Sequence, residues 1–186
     1  MGGRATNQGT KYQAGVGAWV AVHIIARAKL PDWKLPRGVP TAVSFEQGGA
    51  GDDVRVETST GHVYEIQAKR TLKADGDFKE AIERLAADLQ PFEYGVLAIG
   101  PASSGSIKDK FRLLLDRWRD GLDPEVAPES VKSRVSPLLS EGGLEVRKRL
   151  AVVLVDVDHN ASKDTSLAIV RLEQVLEDRS QADQAW

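Results

Sequence analysis

The chain of 186 residues contains no cysteine and only three histidines. The absence of cysteine excludes disulfides, thiolate metal sites and cysteine nucleophiles, and it fits a protein of the reducing cytoplasm. The Gly-x-Ser-x-Gly sequence of many serine hydrolases and the His-Glu-x-x-His sequence of zinc proteases are both missing. Serine hydrolase and zinc protease functions are therefore disfavoured.

Long apolar runs are missing as well. No run approaches the roughly 20 residues that a helix needs to cross a membrane. The first fifteen residues are polar and rich in glycine, so we expect no signal peptide, a cytoplasmic location and no membrane partner. The glycine-rich segment 100–105 lacks the lysine of a Walker phosphate loop. A nucleotide-hydrolysing loop of that type is thus not expected.

The composition is that of an ordinary globular domain, with 41% hydrophobic and 28% charged residues. The net charge of −2 is unevenly distributed, because residues 1–40 carry six basic side chains and one acid. A basic flank beside an acidic metal site suits a phosphodiester ligand. Taken alone, however, this distribution is better explained by solvated charges on helices and loops.

The pattern of apolar residues and of turn residues predicts alternating helices and strands. We expect residues 1–10 to be flexible and residues 11–180 to form one domain. We expect Asp77 to cap a helix, with Glu80 completing its capping box. The order predicts an α/β sandwich with a mixed central sheet. The expected elements are a helix over 11–29, strands over 41–47, 53–59 and 62–70, a helix from 77 to the proline at 91, a strand over 94–99, a helix from 103 or 104 to 121, a strand over 150–157 and a helix over 167–176.

The stretch Glu46–Arg70 contains the candidate site. Side chains of a strand alternate between its two faces. Asp53 therefore lies on the face opposite the valines of its strand, and Gln67 and Lys69 lie on the face opposite the apolar residues of theirs. If the apolar faces share a core, Asp53, Gln67 and Lys69 can meet on the other side, with Glu46 near the same end.

These residues resemble the active site of the PD-(D/E)xK nuclease superfamily. The likeness is to the branch with Gln in place of the second acid, as in Mrr-like restriction endonucleases. In that branch a strand of the form hydrophobic-Gln-x-Lys-Arg recurs, and residues 66–70 read Ile-Gln-Ala-Lys-Arg. Residues 9–13, Gly-Thr-Lys-Tyr-Gln, resemble the start of nuclease domains in bacterial anti-phage effectors such as the Avs-like proteins. The resemblance implies a restriction-endonuclease-like α/β/α sandwich, in which a helix is followed by three antiparallel strands, a crossover helix and a parallel strand.

The resemblance also implies a metal-dependent reaction. Phosphodiester hydrolysis requires an ion that activates water and charge stabilisation on the phosphate. Mg²⁺ or Mn²⁺ is the implied cofactor, with Asp53 as the principal carboxylate and Glu46 in support. The side-chain oxygen of Gln67 and the backbone carbonyl of Ala68 are further implied ligands. Lys69 is expected to act on the attacking water or on the scissile phosphate.

Some of these assignments stay open. Asp52 is the alternative to Asp53 if the strand begins only at Asp53, and Glu65 is an alternative to Glu46. The motif also departs from the family pattern, because no proline precedes the aspartate and the second acid is an amide.

The expected function is endonucleolytic cleavage of double-stranded DNA, as an effector in bacterial anti-phage defence. Arg70, Lys11 and Gln13 are the implied DNA contacts. We expect a homo-oligomer, because cutting both strands needs two sites, and we expect the domain to be the amino-terminal part of a longer protein. The alternative is a non-catalytic nucleic-acid-binding or assembly module on the same fold.

Overall fold

Five strands form one mixed sheet, namely β1 (Pro40–Ser44), β2 (Val54–Thr58), β3 (Val63–Lys69), β4 (Glu93–Ile99) and β5 (Leu150–Leu154). Their order across the sheet is their order along the chain. β1, β2 and β3 are antiparallel neighbours, whereas β4 and β5 run parallel to β3. The expected α/β class with a mixed sheet is thereby confirmed. This computed structural model describes residues 3–30, 35, 38–45, 54–87, 89–90, 93–121, 143–157, 164, 166–172 and 174.

Helices cover both faces of the sheet. They are α1 (Gly3–Ile25), α2 (Gly76–Ala87), α3 (Arg112–Arg119) and the short α4 (Gly143–Lys148), and residues 166–172 are helical as well. A π-helical segment, Ser106–Phe111, leads directly into α3. α1 packs against one face of the sheet, and α2 and α3 pack against the other. The described elements therefore form three layers.

Each face of the sheet has its own apolar cluster. Under α1, the buried residues include Val54 and Val56 of β2 and Ile66 of β3. Under α2 and α3, they include Leu97 and Ile99 of β4. The alternation predicted for the hairpin is confirmed, because Gln67 and Lys69 pair with Leu97 and Ile99 and so lie on the face turned toward α2.

The turn of the β2–β3 hairpin lies where the sequence predicts it. Gly61 has a φ of +77°, in the left-handed region that favours glycine. Its N–H donates to the carbonyl of Thr58 (3.0 Å), and the N–H of Thr58 donates to the carbonyl of His62 (3.0 Å). The tight turn fixes the register in which Val54 faces Ile66.

α1 differs from its expected bounds. It begins at Gly3 rather than near Lys11 and ends at Ile25 rather than near Lys29. The flexibility of residues 1–10 stays a prediction. The predicted start of the helix is too late because residues 3–10 lack the apolar periodicity that indicates a helix. Further along, His23 is fully buried, its Nδ1 donates to the carbonyl of Trp19 (2.8 Å), and burial lowers its pKa. It is a hydrogen-bonded core histidine.

α2 has the expected apolar stripe but a different cap. Phe78, Ile82 and Leu85 are buried against the sheet, as predicted. The helix begins at Gly76, and the N–H of Asp77 donates to a side-chain oxygen of Asp75 (3.2 Å). Asp75 is therefore the N-cap, and the prediction of Asp77 as cap with Glu80 in a capping box is wrong. Asp77 and Glu80 do not cap the helix, so their carboxylates are available for another role.

The capping assignment predicts the stability of two variants at one position. Asp75→Ala should lower the free energy of unfolding by about 1 kcal/mol, because the N–H of Asp77 loses its acceptor. Asp75→Asn should change it much less, since asparagine caps as well as aspartate does. Urea denaturation followed by circular dichroism measures both. If Asp77→Ala lowered the free energy of unfolding more than Asp75→Ala, Asp77 rather than Asp75 would be the N-cap.

The segment from Ser106 to Arg119 has the predicted buried face, formed by Ile107, Phe111, Leu114, Leu115 and Trp118. The helix ends at Arg119, and the predicted terminating glycine, Gly121, follows its C-cap residue with a φ of +82°. Residues 122–142, in which only short helical pieces are expected, lie outside the described residues. No helix in the described part of the chain has both the length and the apolar character required to cross a membrane.

Candidate functional site

The end of β3 and the start of α2 enclose a cleft with a cavity volume of about 230 Å³, which we call the α2–β3 cleft. Its polar lining comes from Gln67, Lys69 and Thr71 at the strand end and from Asp77, Glu80 and Arg84 on the helix. The structure thus brings together Gln67 and Lys69, two of the candidates from the strand motif. It adds three charged side chains of α2.

Gln67 is the unusual residue of this cleft. It is only 2% exposed, and its side-chain oxygen has no hydrogen-bond partner among the described residues. A buried polar atom left without a partner costs about 1–3 kcal/mol, so such atoms are rare in folded proteins. Because Gln67 lines the cleft and its oxygen has no donor in the described part of the chain, this oxygen is suited to a ligand that enters the cleft.

Lys69 is half-buried at the end of β3, and its main chain is firmly held. The N–H of Gly100 donates to its carbonyl (3.1 Å). Just beyond, the N–H of Leu72 donates to Oγ of Ser103 (3.0 Å), and the N–H of Ser104 donates to the carbonyl of Leu72 (2.9 Å). The loop after β4 therefore fixes the strand end from which the Lys69 ammonium enters the cleft.

A glycine at position 100 is required by this contact. A Cβ on Gly100 would lie 2.3 Å from the carbonyl oxygen of Arg70. Arg70 itself is half-buried, and Ala68 is buried in the cluster under α1. Whether the Ala68 carbonyl binds metal and Arg70 contacts DNA stays a prediction.

The charges of the cleft balance. Asp77 and Glu80 contribute two carboxylates, and Lys69 and Arg84 contribute two cations. Arg84 donates a hydrogen bond to Glu80, one turn earlier on the exposed side of α2. Carboxylate and amide oxygens are the ligands of hard divalent cations, and an ammonium beside them can hold a phosphate oxygen. The arrangement can thus accept both a cation and an anionic group.

Sequence reasoning missed the contribution of α2 to this cleft. With Asp75 as the cap, Asp77, Glu80 and Arg84 follow at spacings of three and four and share one face of the helix. That polar stripe is visible in the sequence. Sequence alone favours a role at the helix end, because Asp77 and Glu80 also fit the spacing of a capping box.

The other sequence candidates have different places. Glu46, Asp52 and Asp53 lie outside the described residues. Lys11 and Gln13 are on α1, which packs on the opposite face of the sheet from the cleft, and their role in DNA binding stays a prediction.

Glu65, the alternative to Glu46, does not line the cleft. It forms an ion pair with Arg55, whose guanidinium also lies 3.3 Å from Glu93. This pairing is expected for a carboxylate that is only 5% exposed. Glu65 is therefore a partner of Arg55, and it belongs to the part of the sheet near the start of β4.

Within the described ranges, no group of three or more His, Asp or Glu side chains is arranged to hold a metal ion. The cleft nevertheless offers two carboxylates and the unpartnered oxygen of Gln67, which together are oxygen donors of the kind that Mg²⁺ and Mn²⁺ prefer. Comparison of the chain with protein-family models, with curated proteins and with solved structures finds no match.

Proposed function

We propose that this chain is a metal-dependent endonuclease domain that hydrolyses phosphodiester bonds of double-stranded DNA. The proposal includes a restriction-endonuclease-like fold. It is supported by the order of elements, in which α1 is followed by three antiparallel strands, the crossover helix α2 and the parallel strand β4. That is the order implied by the resemblance of the Gln-Ala-Lys strand to the nuclease motif.

The observation that carries the proposal is the pair formed by Gln67 and Lys69. Both line one cleft, and the buried oxygen of Gln67 has no partner among the described residues. A structural glutamine in a strand would be expected to hydrogen-bond to its neighbours. An oxygen donor and an ammonium in one cleft suit a cation and a phosphate that bind together.

Asp53 as the principal carboxylate is consistent with the register of the hairpin. Val54, which follows Asp53 in the chain, pairs with Ile66, which precedes Gln67. Gln67 would hold the ion with Asp53 and Glu46, as the resemblance implies. When bound, Mg²⁺ or Mn²⁺ would supply charge stabilisation to the phosphate and make water more acidic.

Lys69 would bind the substrate rather than the metal ion. Its ammonium would hold a non-bridging phosphate oxygen and stabilise the negative charge that develops there. The firmly held main chain around it supports that role, because a catalytic cation is effective when it is positioned in advance.

Two wider features belong to the same proposal. Cleavage of both strands needs two sites, so the proposal includes a homo-oligomer. The setting is bacterial anti-phage defence, as in the effectors that the start of the chain resembles.

A plasmid-nicking assay tests the function. Supercoiled plasmid should be converted to nicked and linear forms with Mg²⁺ or Mn²⁺, and the conversion should stop in EDTA and return when excess Mg²⁺ is added. The protein concentration is varied, so that an activity requiring association of chains is seen as a steeper than linear rise. Retention of DNA in a mobility-shift assay with no cleavage under either metal would instead establish the non-catalytic module.

A further inference from the structure

The first two turns of α2 bring two carboxylates to the cleft that Gln67 enters from β3. Asp77 and Glu80 are three residues apart, and both side chains line this cleft. The same cleft contains Gln67, the strand position at which the wider superfamily pattern has an acid and this sequence has an amide. The helix therefore brings negative charge to the place where the strand lacks it.

Ordinary helix chemistry explains part of this arrangement. An acidic residue in the first turn interacts favourably with the helix dipole, and Glu80 forms an ion pair with Arg84 four residues later. Neither interaction gives the oxygen of Gln67 a partner. Gln67 is buried and lines the same cleft, and its side-chain oxygen lacks a donor within the described chain, so it is an independent indication of a ligand.

We propose that Asp77 and Glu80 of α2, together with the side-chain oxygen of Gln67, form a divalent-cation site. The two carboxylates supply the negative charge that a neutral amide cannot, and all three groups are oxygen donors suited to Mg²⁺ or Mn²⁺. The inference rests on the proposed function for the purpose of the cation, but its ligand set stands on the geometry of the cleft. It assigns to α2 a ligand role that the resemblance gives to Glu46, Asp53 and β3.

The ion pair with Arg84 does not compete strongly with this role. The side chains of Arg84 and Glu80 are 52% and 58% exposed, and pairs between exposed side chains are weak and screened by salt. Arg84 also lines the cleft, so it can turn toward an anion when Glu80 binds a cation. Lys69 and Arg84 are then the two cations that a phosphate would meet beside the ion.

Titration calorimetry with Mn²⁺ alone, without DNA, tests the ligand set. Glu80→Gln should weaken Mn²⁺ binding by at least about tenfold, and Glu80→Asp should recover part of the loss. Glu83→Gln is the matched control, because Glu83 lies on the same helix, pairs with Lys79 (3.6 Å) and does not line the cleft. It should leave Mn²⁺ affinity within about twofold, since it changes net charge without removing a ligand. Equal effects of Glu80→Gln and Glu83→Gln would overturn the site.

Nuclear magnetic resonance locates the ion independently of affinity. Paramagnetic Mn²⁺ should broaden the side-chain amide signals of Gln67 and the backbone signals of residues 77–81, and diamagnetic Mg²⁺ should not. Broadening centred away from the cleft would overturn this inference. If that protein still cut plasmid with Mg²⁺ or Mn²⁺, the nuclease function would be upheld, with its ion held away from Gln67. Broadening at the cleft in a protein that cuts no DNA would uphold the cation site and refute the nuclease.

Discussion

Replacing Lys69 by alanine is expected to lower the rate of plasmid cleavage by on the order of 10²–10³-fold. The side chain is half-buried at the cleft, so in the proposed reaction its ammonium would act on the phosphate with less screening than an exposed lysine would. Negative charge develops on the phosphate as the bond breaks, so removal of the Lys69 ammonium should mainly lower kcat. Single-turnover cleavage of a labelled duplex measures the effect on the chemical step.

The control for this variant is Lys79→Ala. Lys79 is an exposed lysine of α2 that pairs with Glu83 and does not line the cleft, so its removal should change the rate less than about twofold. Mn²⁺ binding and the circular dichroism spectrum of Lys69→Ala should match those of the unaltered protein. Cleavage by Lys69→Ala at the unaltered rate would refute the assignment of the active site.

Gly100→Ala is expected to destabilise the protein and to abolish cleavage together. The new Cβ would lie 2.3 Å from the carbonyl oxygen of Arg70, and backbone atoms cannot move aside as a flexible side chain can. We expect a loss of about 2–3 kcal/mol in the free energy of unfolding, as found for overpacked positions. For a chain of this length the loss corresponds to a fall in Tm of roughly 4–12 °C, measured by calorimetry. Cleavage should fail because the displaced strand end carries Lys69.

Gly76→Ala is the matched control for that substitution. Gly76 is the first residue of α2, and a Cβ there meets no atom within 4 Å. Alanine has the higher helix propensity, so stability should be unchanged or rise by up to about 1 kcal/mol. If Gly100→Ala were as stable and as active as Gly76→Ala, the contact between the two strand ends would not be needed by the site.

Local sequence pattern was sufficient for most of the elements. Three features are where the sequence predicts them. They are the apolar alternation around Ile66, the stripe of Phe78, Ile82 and Leu85 on α2, and the buried face of the helical segment that precedes Gly121. These features depend on residues two to four positions apart, and burial of one face imposes that spacing directly. Boundaries were less well predicted, since the start of α1 has no apolar signal and two aspartates competed for the cap of α2.

Half of the candidate site is present in the sequence itself. Alternation alone puts Gln67 and Lys69 on one face of β3, and the structure agrees. The positions of Glu46 and Asp53 relative to that pair stay a prediction, because both lie outside the described residues.

Only the tertiary structure decided which side chains lie across the cleft from Gln67 and Lys69. The crossover from β3 to β4 packs α2 on the face that Gln67 shares, so Asp77, Glu80 and Arg84 close the cleft. It also buries the oxygen of Gln67 without a partner in the described chain. The sequence by itself determined which residues share a strand face or a helix face, because those repeats are local. The meeting of the two faces depends on how a helix packs across two strands, and the free energy that favours that packing comes from contacts between residues far apart in the chain.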